Sequence, residues 1–142
     1  MEIFMQRVDD HAIFPDRQHT TDAGWDLATP DNVVIPPGET VVVDTHLRIG
    51  LPDGYEGQVR MRSSVGKKGV AIPNGIGTID SGYRGTIKVI MHNLLTHSHA
   101  YFRRGDRIAQ LVIKEIPKIN LIEGDVPIDT DRGEGGLGST GR

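Results

Sequence analysis

The sequence predicts an all-β domain, a jelly-roll-like barrel or sandwich with one short helix and a flexible glycine-rich C-terminal arm. Glycine and proline, 18 and 8 of the 142 residues, interrupt the chain at short intervals and leave little room for long helices. Short runs rich in valine and isoleucine recur between these turn signals, as they do in sandwiches and barrels. There is no internal repeat and no linker, so we interpret residues 1–142 as a single domain.

Strands are predicted where apolar residues alternate with polar ones or follow one another. In 58–62, Val59 and Met61 share one face, and polar residues occupy the other. The run 107–113 is apolar on both faces except at Gln110, which predicts a largely buried strand. The full set of predicted strand runs is 33–35, 41–43, 58–62, 86–91 and 107–113.

One short helix is predicted near 63–68, with Ser63 or Ser64 as its N-cap and Gly69 at its end. Unpaired N–H groups at a helix N-terminus attract anions, and Arg62 with two hydroxyls beside such groups suits a phosphate. A purely structural cap is the alternative, since serine is a common capping residue.

Composition excludes some functions. The net charge is −3 with both signs interspersed, which argues against a general nucleic-acid binder, although local basic clusters can hold a small polyanion. No apolar run approaches a membrane span of about 18 residues. The chain starts without a basic region or a long apolar stretch and has no cysteine. We therefore expect no signal peptide, no disulfide and an intracellular location.

The segment 74–85 contains four glycines and is interpreted as a tight hairpin with exposed backbone groups. Those groups can pair with the polar edge of a ligand, such as a ring that offers an N–H donor between two carbonyl acceptors. Asp80 lies where an apolar strand gives way to a turn, and it either acts as a base or forms an Asx-turn. Tyr83 is either a core aromatic or a plate against a sugar.

Three other segments combine polar groups with glycine. Asp26 lies among apolar residues in 23–28, and Gln110 lies in an apolar run that follows Gly-Asp-Arg at 105–107. A buried amide needs partners, which are either structural groups or the phosphate oxygens of a ligand. The tail 132–142 has five glycines and too few apolar residues to order itself. It is either a frayed end or a mobile arm that closes over a ligand.

Taken together and in order, these segments resemble the five motifs of the trimeric dUTPase family. The motifs are Ala-Gly-Trp-Asp-Leu-Ala at 23–28, Arg-Ser-Ser at 62–64 with Gly69, Asn-Gly-Ile-Gly-Thr-Ile-Asp-Ser-Gly-Tyr-Arg-Gly at 74–85, Gly-Asp-Arg-Ile-Ala-Gln at 105–110, and Arg-Gly-Glu-Gly-Gly-Leu-Gly-Ser-Thr-Gly at 132–141. A chance match to all five in this order is very improbable.

The resemblance implies hydrolysis of dUTP to dUMP and pyrophosphate, which keeps uracil out of DNA and supplies dUMP for thymidylate synthesis. It also implies a jelly-roll core at about 1–128, an arm at 129–142, and a homotrimer with active sites shared between subunits. Mg²⁺ would be bound mainly by substrate phosphates and water, as suits a small hard cation. Asp26 would support the metal region through water. Protein partners beyond the trimer are left open.

The resemblance also assigns roles to individual residues. Asp80 would activate the attacking water, Arg62 and Gln110 would bind the phosphate chain, and Tyr83 would exclude a ribose 2′-hydroxyl. The other implied substrate-binding residues are Ser63, Ser64, Asn74, Gly75, Thr78, Ile79, Lys88, Arg132, Leu137, Gly138, Ser139 and Thr140. Leu137 departs from the family pattern, which usually has an aromatic residue that stacks on uracil. We therefore expect activity with looser arm closure or a weaker grip on the substrate.

Other functions are weighed against this one. A dCTP deaminase of the same fold would need a proton-shuttling glutamate at about Ile90 and tends to have tryptophan at Tyr83, so the residues present favour the triphosphatase. A catalytically silent nucleotide-binding or interaction module is a second alternative, and an unrelated β-sandwich binding protein is a third. His97 and His99 resemble a transition-metal pair but have no third ligand nearby in sequence.

Overall fold

The computed structural model describes residues 1–137, and within them the chain is built mainly from antiparallel β-strands. The strands are β1 (Phe4–Arg7), β2 (Gly24–Ala28), β3 (Val33–Ile35), β4 (Thr40–Asp44), β5 (Leu47–Gly50), β6 (Tyr55–Met61), β7 (Val70–Ala71), β8 (Gly77–Ile79), β9 (Lys88–Asn93), β10 (Ala100–Phe102) and β11 (Arg107–Glu115). The helix α1 (Ser63–Gly66) is a single turn. No helix of residues 1–137 is long and apolar enough to cross a membrane. The predicted all-β class with one short helix is confirmed.

The strand order brings together segments that are distant in sequence. One sheet has the order β2-β11-β6-β8 and another the order β4-β9-β7, while β1 pairs with β5 and β10 with β3. In the first sheet, Gln110 of β11 is opposite Asp26 of β2 on one side and Arg60 of β6 on the other. The motifs at 23–28 and 105–110 therefore lie side by side, next to the end of β6.

The core is one cluster of buried apolar side chains between these sheets. The predicted inward face of β6 is confirmed, because Val59 is buried and Met61 packs against the cluster. Burial on both faces of β11 is also confirmed. Ile108 and Ala109 are fully buried, and Leu111 and Val112 are almost completely buried. The sheet that carries the site motifs is thus anchored firmly in the core.

The helix differs from the prediction in length and in capping. It ends at Gly66, and its N-cap is Arg62, which has an extended backbone and makes no side-chain cap hydrogen bond. Ser63 already belongs to the helical turn, so the predicted serine cap is wrong. Gly69 adopts a φ of +80°, a conformation that glycine tolerates best, and ends the turns that follow the helix.

The hairpin predicted for 74–85 is wrong. β8 pairs with β6, whereas β9 pairs with β4 and β7, so this segment passes from one sheet to another. A tight turn is present, because the N–H of Tyr83 donates to the carbonyl oxygen of Asp80 at 3.0 Å. Turn-forming residues indicate where a chain bends, but they do not specify which strand becomes the partner.

Between the end of β11 and residue 137 the chain forms no further strand or helix. Apolar side chains in this segment lie open to solvent, with Ile119 at 69%, Leu121 at 97% and Val126 at 80% exposure. The single chain therefore presents an apolar C-terminal segment that it does not bury itself.

Candidate active site

The predicted phosphate-binding residues meet where β2, β11 and the end of β6 lie side by side. Arg62, Ser63 and Gln110 line a cavity of about 290 Å³ together with Asp26. The remaining lining residues are Gln18, Asp22, Ala23 and Gly24. The cavity follows from strand register, because directly opposed residues of neighbouring strands project from the same face.

Asp26 holds two arginines at this cavity. Its Oδ1 accepts a hydrogen bond from Arg62 Nε at 3.0 Å, and its Oδ2 accepts one from Arg107 Nη1 at 3.1 Å. The Asp26 side chain is only 15% exposed, so these pairs offset the cost of desolvating its charge. Both carboxylate oxygens are thus engaged by guanidinium groups, and the direction of Arg62 is set by Asp26.

Gly24 leaves the space that the Gln110 side chain occupies. A Cβ at position 24 would lie 2.5 Å from Gln110 Oε1 and 3.1 Å from its Cβ. The two residues are diagonal neighbours across the β2–β11 pair, since Gly24 is opposite Val112. The amide of Gln110 therefore turns across the β2 backbone and remains at the cavity wall.

A second cavity of about 240 Å³ lies on the other side of Arg62 and is rich in cations. Ser64, Lys68 and Arg107 line it together with Arg62. The remaining lining residues are Val65, Phe102, Gly105 and Asp106. Several cations on one concave surface attract a polyanion. Lys68 and Arg107 were not predicted as site residues, although Arg107 lies inside the motif at 105–110.

The predicted base- and sugar-binding residues line a third cavity, of about 300 Å³, between β8 and β9. Asn74, Thr78, Ile79, Tyr83 and Lys88 all contribute to it. The remaining lining residues are Val42, Val59, Ile72, Gly77, Thr86, Ile87 and Ile90. A mainly apolar wall with a few polar groups is typical of a small-molecule site, and the volume suits a nucleoside.

Asp80 and Tyr83 follow β8 in the turn beside this third cavity. Tyr83 is 41% exposed, so it is not a core aromatic, and its Oη donates to the carbonyl oxygen of Thr86 at 3.0 Å. Asp80 is exposed, and its carboxylate accepts no hydrogen bond from any residue in the range 1–137. The predicted Asx-turn alternative is therefore not formed. Gly75, with a φ of +74°, forms the turn next to Asn74.

Within one chain, Asp80 and Gln110 lie on opposite sides of strand β6 in the same sheet. β6 lies between β11 and β8, so β11 and β8 are about 10 Å apart across the sheet. Gln110 is opposite Arg60 and Thr78 is opposite Gln58, which adds an offset along the strands that increases toward Asp80. The Cα atoms of Asp80 and Gln110 are thus on the order of 15 Å apart.

The arm residues lie away from these cavities. Arg132 Nε donates to the carbonyl oxygen of Gly135 at 3.0 Å, and Leu137 is fully exposed with a φ of +48°. The predicted arm residues Gly138, Ser139 and Thr140 lie outside the described residues.

The acidic and histidine side chains of residues 1–137 include no group of three or more that could hold a metal ion directly. Asp26 already has both oxygens on arginines, so it does not fit a direct metal ligand. His99 stacks on Tyr101 with ring centroids 6.0 Å apart.

The chain is similar to known proteins over nearly its whole length. A family model described as dUTPase matches residues 10–141. The deoxyuridine 5′-triphosphate nucleotidohydrolase of Clostridium kluyveri is 44% identical over 142 residues, which cover 99% of this chain and 99% of the relative. The enzyme of the same name from Streptomyces avermitilis is 42% identical over 142 residues, with 99% and 81% covered.

Solved dUTPases share the fold. The Staphylococcus bacteriophage 80alpha dUTPase with dUPNHPP superposes with a TM-score of 0.88 and 29% identity, covering 99% of each chain. A mutant dUTPase from phage phi11 of S. aureus, which coordinates a structural Mg(II) ion, gives a TM-score of 0.82 and 26% identity over 89% of this chain and 98% of that chain. These matches are consistent with the jelly-roll class. From the family model and the relatives at 42% and 44% identity, this chain belongs to the dUTPase family.

Proposed function

We propose that this chain hydrolyses dUTP to dUMP and pyrophosphate, with Asp80 activating the attacking water. The observation that carries the proposal is the sorting of the motif residues into complementary cavities. One cavity suits a nucleoside, and two others, joined at Arg62, suit a phosphate chain. With this activity we also propose an intracellular role in keeping uracil out of DNA and in supplying dUMP.

In the nucleoside cavity, Asn74 and the backbone of 75–79, including Thr78 and Ile79, pair with the uracil edge. A site that pairs a polar edge rejects a mismatched one by about 10⁴-fold, because its own groups are left unpaired. Tyr83 packs against the deoxyribose, and Lys88 at the start of β9 contacts the substrate from the same cavity.

In the phosphate cavities, Arg62 and the hydroxyls of Ser63 and Ser64 donate to phosphate oxygens, and Gln110 contacts the phosphate nearest the sugar. Hydrogen bonds from a guanidinium to an anion are about twice as strong as neutral ones. The arm then closes over the substrate. Its contributors are Arg132, Ser139 and Thr140 at the terminal phosphate, Gly138 through its backbone, and Leu137 over the base.

The reaction is a displacement at the α-phosphorus. The Asp80 carboxylate accepts a proton from water, and the water oxygen forms a bond to that phosphorus. The bond to the oxygen that bridges to the β-phosphate breaks, and pyrophosphate leaves with the electron pair. A positioned general base contributes about 10²–10⁴-fold, while positioning and charge neutralisation supply the rest.

A single chain does not bring Asp80 to the phosphate cavities, because about 15 Å separates it from Gln110. We infer a homotrimer in which the nucleoside cavity of one copy faces the phosphate cavities of the next, and the arm closes over a neighbouring site. The exposed apolar side chains after β11, such as Leu121 and Val126, support such an assembly, because association would bury them.

Mg²⁺ is proposed as the cofactor, held by triphosphate oxygens and water. It would neutralise part of the charge that the leaving pyrophosphate develops. The water-mediated contact of Asp26 with the metal region stays a prediction, and the same carboxylate also pairs with Arg62 and Arg107. This chain's arginines thus carry most of the protein's own charge complementarity.

The deaminase alternative is not favoured by the residues of the nucleoside cavity. Ile90 lines this cavity with an apolar side chain that cannot carry a proton. The silent-module alternative is opposed by Asp80, whose carboxylate is exposed beside the same cavity and available to a water molecule.

The decisive experiment measures pyrophosphate release from dUTP, UTP, dTTP and dCTP in the presence of Mg²⁺. We expect strong preference for dUTP and a fall in kcat of about 10²–10⁴-fold in Asp80→Asn, which keeps the shape of the side chain. The matched control is Asp53→Asn, which should leave kcat unchanged. Asp53 is an exposed carboxylate in the turn between β5 and β6.

The alternatives make different predictions in the same assay. Equal inertness of the wild type and Asp80→Asn toward dUTP would support the silent module. Ammonia release from dCTP would support the deaminase. Preserved activity in Asp80→Asn would remove Asp80 from the mechanism.

A further inference from the structure

Gly85 lies against the ring of Tyr83. A Cβ at position 85 would lie 2.5 Å from Tyr83 Cζ and 3.0 Å from Cε2, and closer still to Oη. Gly85 is not among the glycines with positive φ, so its backbone conformation alone does not call for glycine. The requirement comes instead from the aromatic ring, which occupies the place that a side chain at 85 would fill.

The tip of the same ring is tied to the neighbouring sheet. Tyr83 Oη donates to the carbonyl oxygen of Thr86 at 3.0 Å, and Thr86 Oγ1 donates to Asp44 Oδ2 at 2.7 Å. The other oxygen of Asp44 accepts the N–H of His46 at 2.8 Å. The ring is thus supported by Gly85 and connected at its hydroxyl, through Thr86, to the end of β4.

The supported ring forms part of the nucleoside cavity. Tyr83 lines it together with Asn74 and Lys88 and is 41% exposed, so part of the ring remains accessible to a ligand. A ring that is held in place can refuse an extra hydroxyl on the sugar, whereas a ring that moves aside cannot. We propose that Gly85 is a positioning residue that sets the sugar specificity of the site by supporting the Tyr83 ring. This inference rests on the proposed function, in which Tyr83 packs against deoxyribose.

The test compares Gly85→Ala with Gly82→Ala from the same turn. Position 82 has open space where a Cβ would stand and no positive φ, so alanine there is a matched control. The quantity measured is the ratio of kcat/KM for dUTP to kcat/KM for UTP. We expect Gly85→Ala to lower this ratio by about tenfold or more and Gly82→Ala to leave it unchanged. An unchanged ratio in Gly85→Ala would overturn the inference.

A double-mutant cycle shows whether Gly85 acts through the ring. In a Tyr83→Ala background the clashing atoms are absent, so Gly85→Ala should have no further effect on the ratio. A full additional loss in that background would contradict the proposal. If Gly85→Ala alone is poorly folded, recovery of the Tm in the double variant supports the same contact, and failure to recover it contradicts the contact.

Crystal structures of Gly85→Ala and Gly82→Ala provide a readout that does not depend on catalysis. We expect the distance from Tyr83 Oη to the carbonyl oxygen of Thr86 to lengthen only in Gly85→Ala. If the wild type hydrolyses neither nucleotide, the proposed function fails, while this displacement still establishes that Gly85 positions the ring. An undisplaced ring overturns the inference whatever the activity.

Discussion

Replacing Asp26 with asparagine removes the carboxylate charge that holds Arg62 and Arg107. The two pairs measure 3.0 and 3.1 Å, and the Asp26 side chain is 15% exposed, against 25% for Arg62 and 43% for Arg107. Exposed pairs contribute roughly 0.2–1 kcal/mol, and loss of one partner from a buried pair costs roughly 3–5 kcal/mol. The pairs of Asp26 are partly buried, so their contribution should lie between these two ranges. We expect the free energy of unfolding to fall by about 2 kcal/mol and the Tm to fall by about 6 °C.

Activity should fall further than stability suggests. Arg62 borders both phosphate cavities, so an unanchored guanidinium misplaces contacts with the whole phosphate chain. A shift of about 1 Å can cost roughly 10²-fold, and we expect a loss of that order in kcat/KM for dUTP. The assay is pyrophosphate release across a range of Mg²⁺ concentrations, with thermal unfolding measured in parallel. Asp31→Asn is the control, because it removes a carboxylate from an exposed pair. The Asp31 side chain is 62% exposed, and its Oδ1 lies 3.6 Å from His11 Nδ1.

Two results would refute this reasoning. Wild-type kcat/KM and Tm in Asp26→Asn would show that the arginines do not need the carboxylate. A loss that excess Mg²⁺ restores would assign Asp26 to the metal instead.

Two other substitutions test single contacts. Leu137→Phe should lower KM for dUTP by about 2- to 12-fold, the equivalent of roughly 0.5–1.5 kcal/mol of aromatic stacking; no change in KM or in arm order would mean that position 137 does not touch the base. Gly24→Ala should lower kcat/KM by about tenfold or more, because a Cβ 2.5 Å from Gln110 Oε1 must push the amide aside. Gly66→Ala, where a Cβ would meet open space, is its control, and equal kcat/KM in the two variants would contradict the role given to Gly24.

Much of the fold could be predicted because local patterns decide it. Alternation placed Val59 on the buried face, and the nearly continuous apolar run around Ile108 and Leu111 predicted a strand buried on both faces. These patterns depend only on side-chain spacing along one strand. The prediction that Asn74, Thr78 and other residues act together on a base came from the family resemblance rather than from spacing, and these residues line one cavity.

The rest depends on contacts between distant segments. The partner of β8 is β6, which no local turn signal specifies, and the hairpin prediction failed for that reason. Lys68 and Arg107 join Arg62 only after folding. In the sequence, Gly85 cannot be distinguished from the other turn glycines of 74–85. Its close approach to the Tyr83 ring is seen only in the folded structure.

The central position of β6 has a consequence for how this protein can vary over evolution. β6 pairs with β11 along one edge and with β8 along the other, so Val59 is opposite Leu111 and also opposite Gly77. A one-residue insertion or deletion in β6 would turn its side chains to the opposite face and shift both neighbouring ladders at once. The proposed base-binding and phosphate-binding residues would then be displaced in the same event. Length changes should therefore be eliminated between residues 55 and 61, whereas strand register sets no such limit after β11, where the chain forms no ladder up to residue 137.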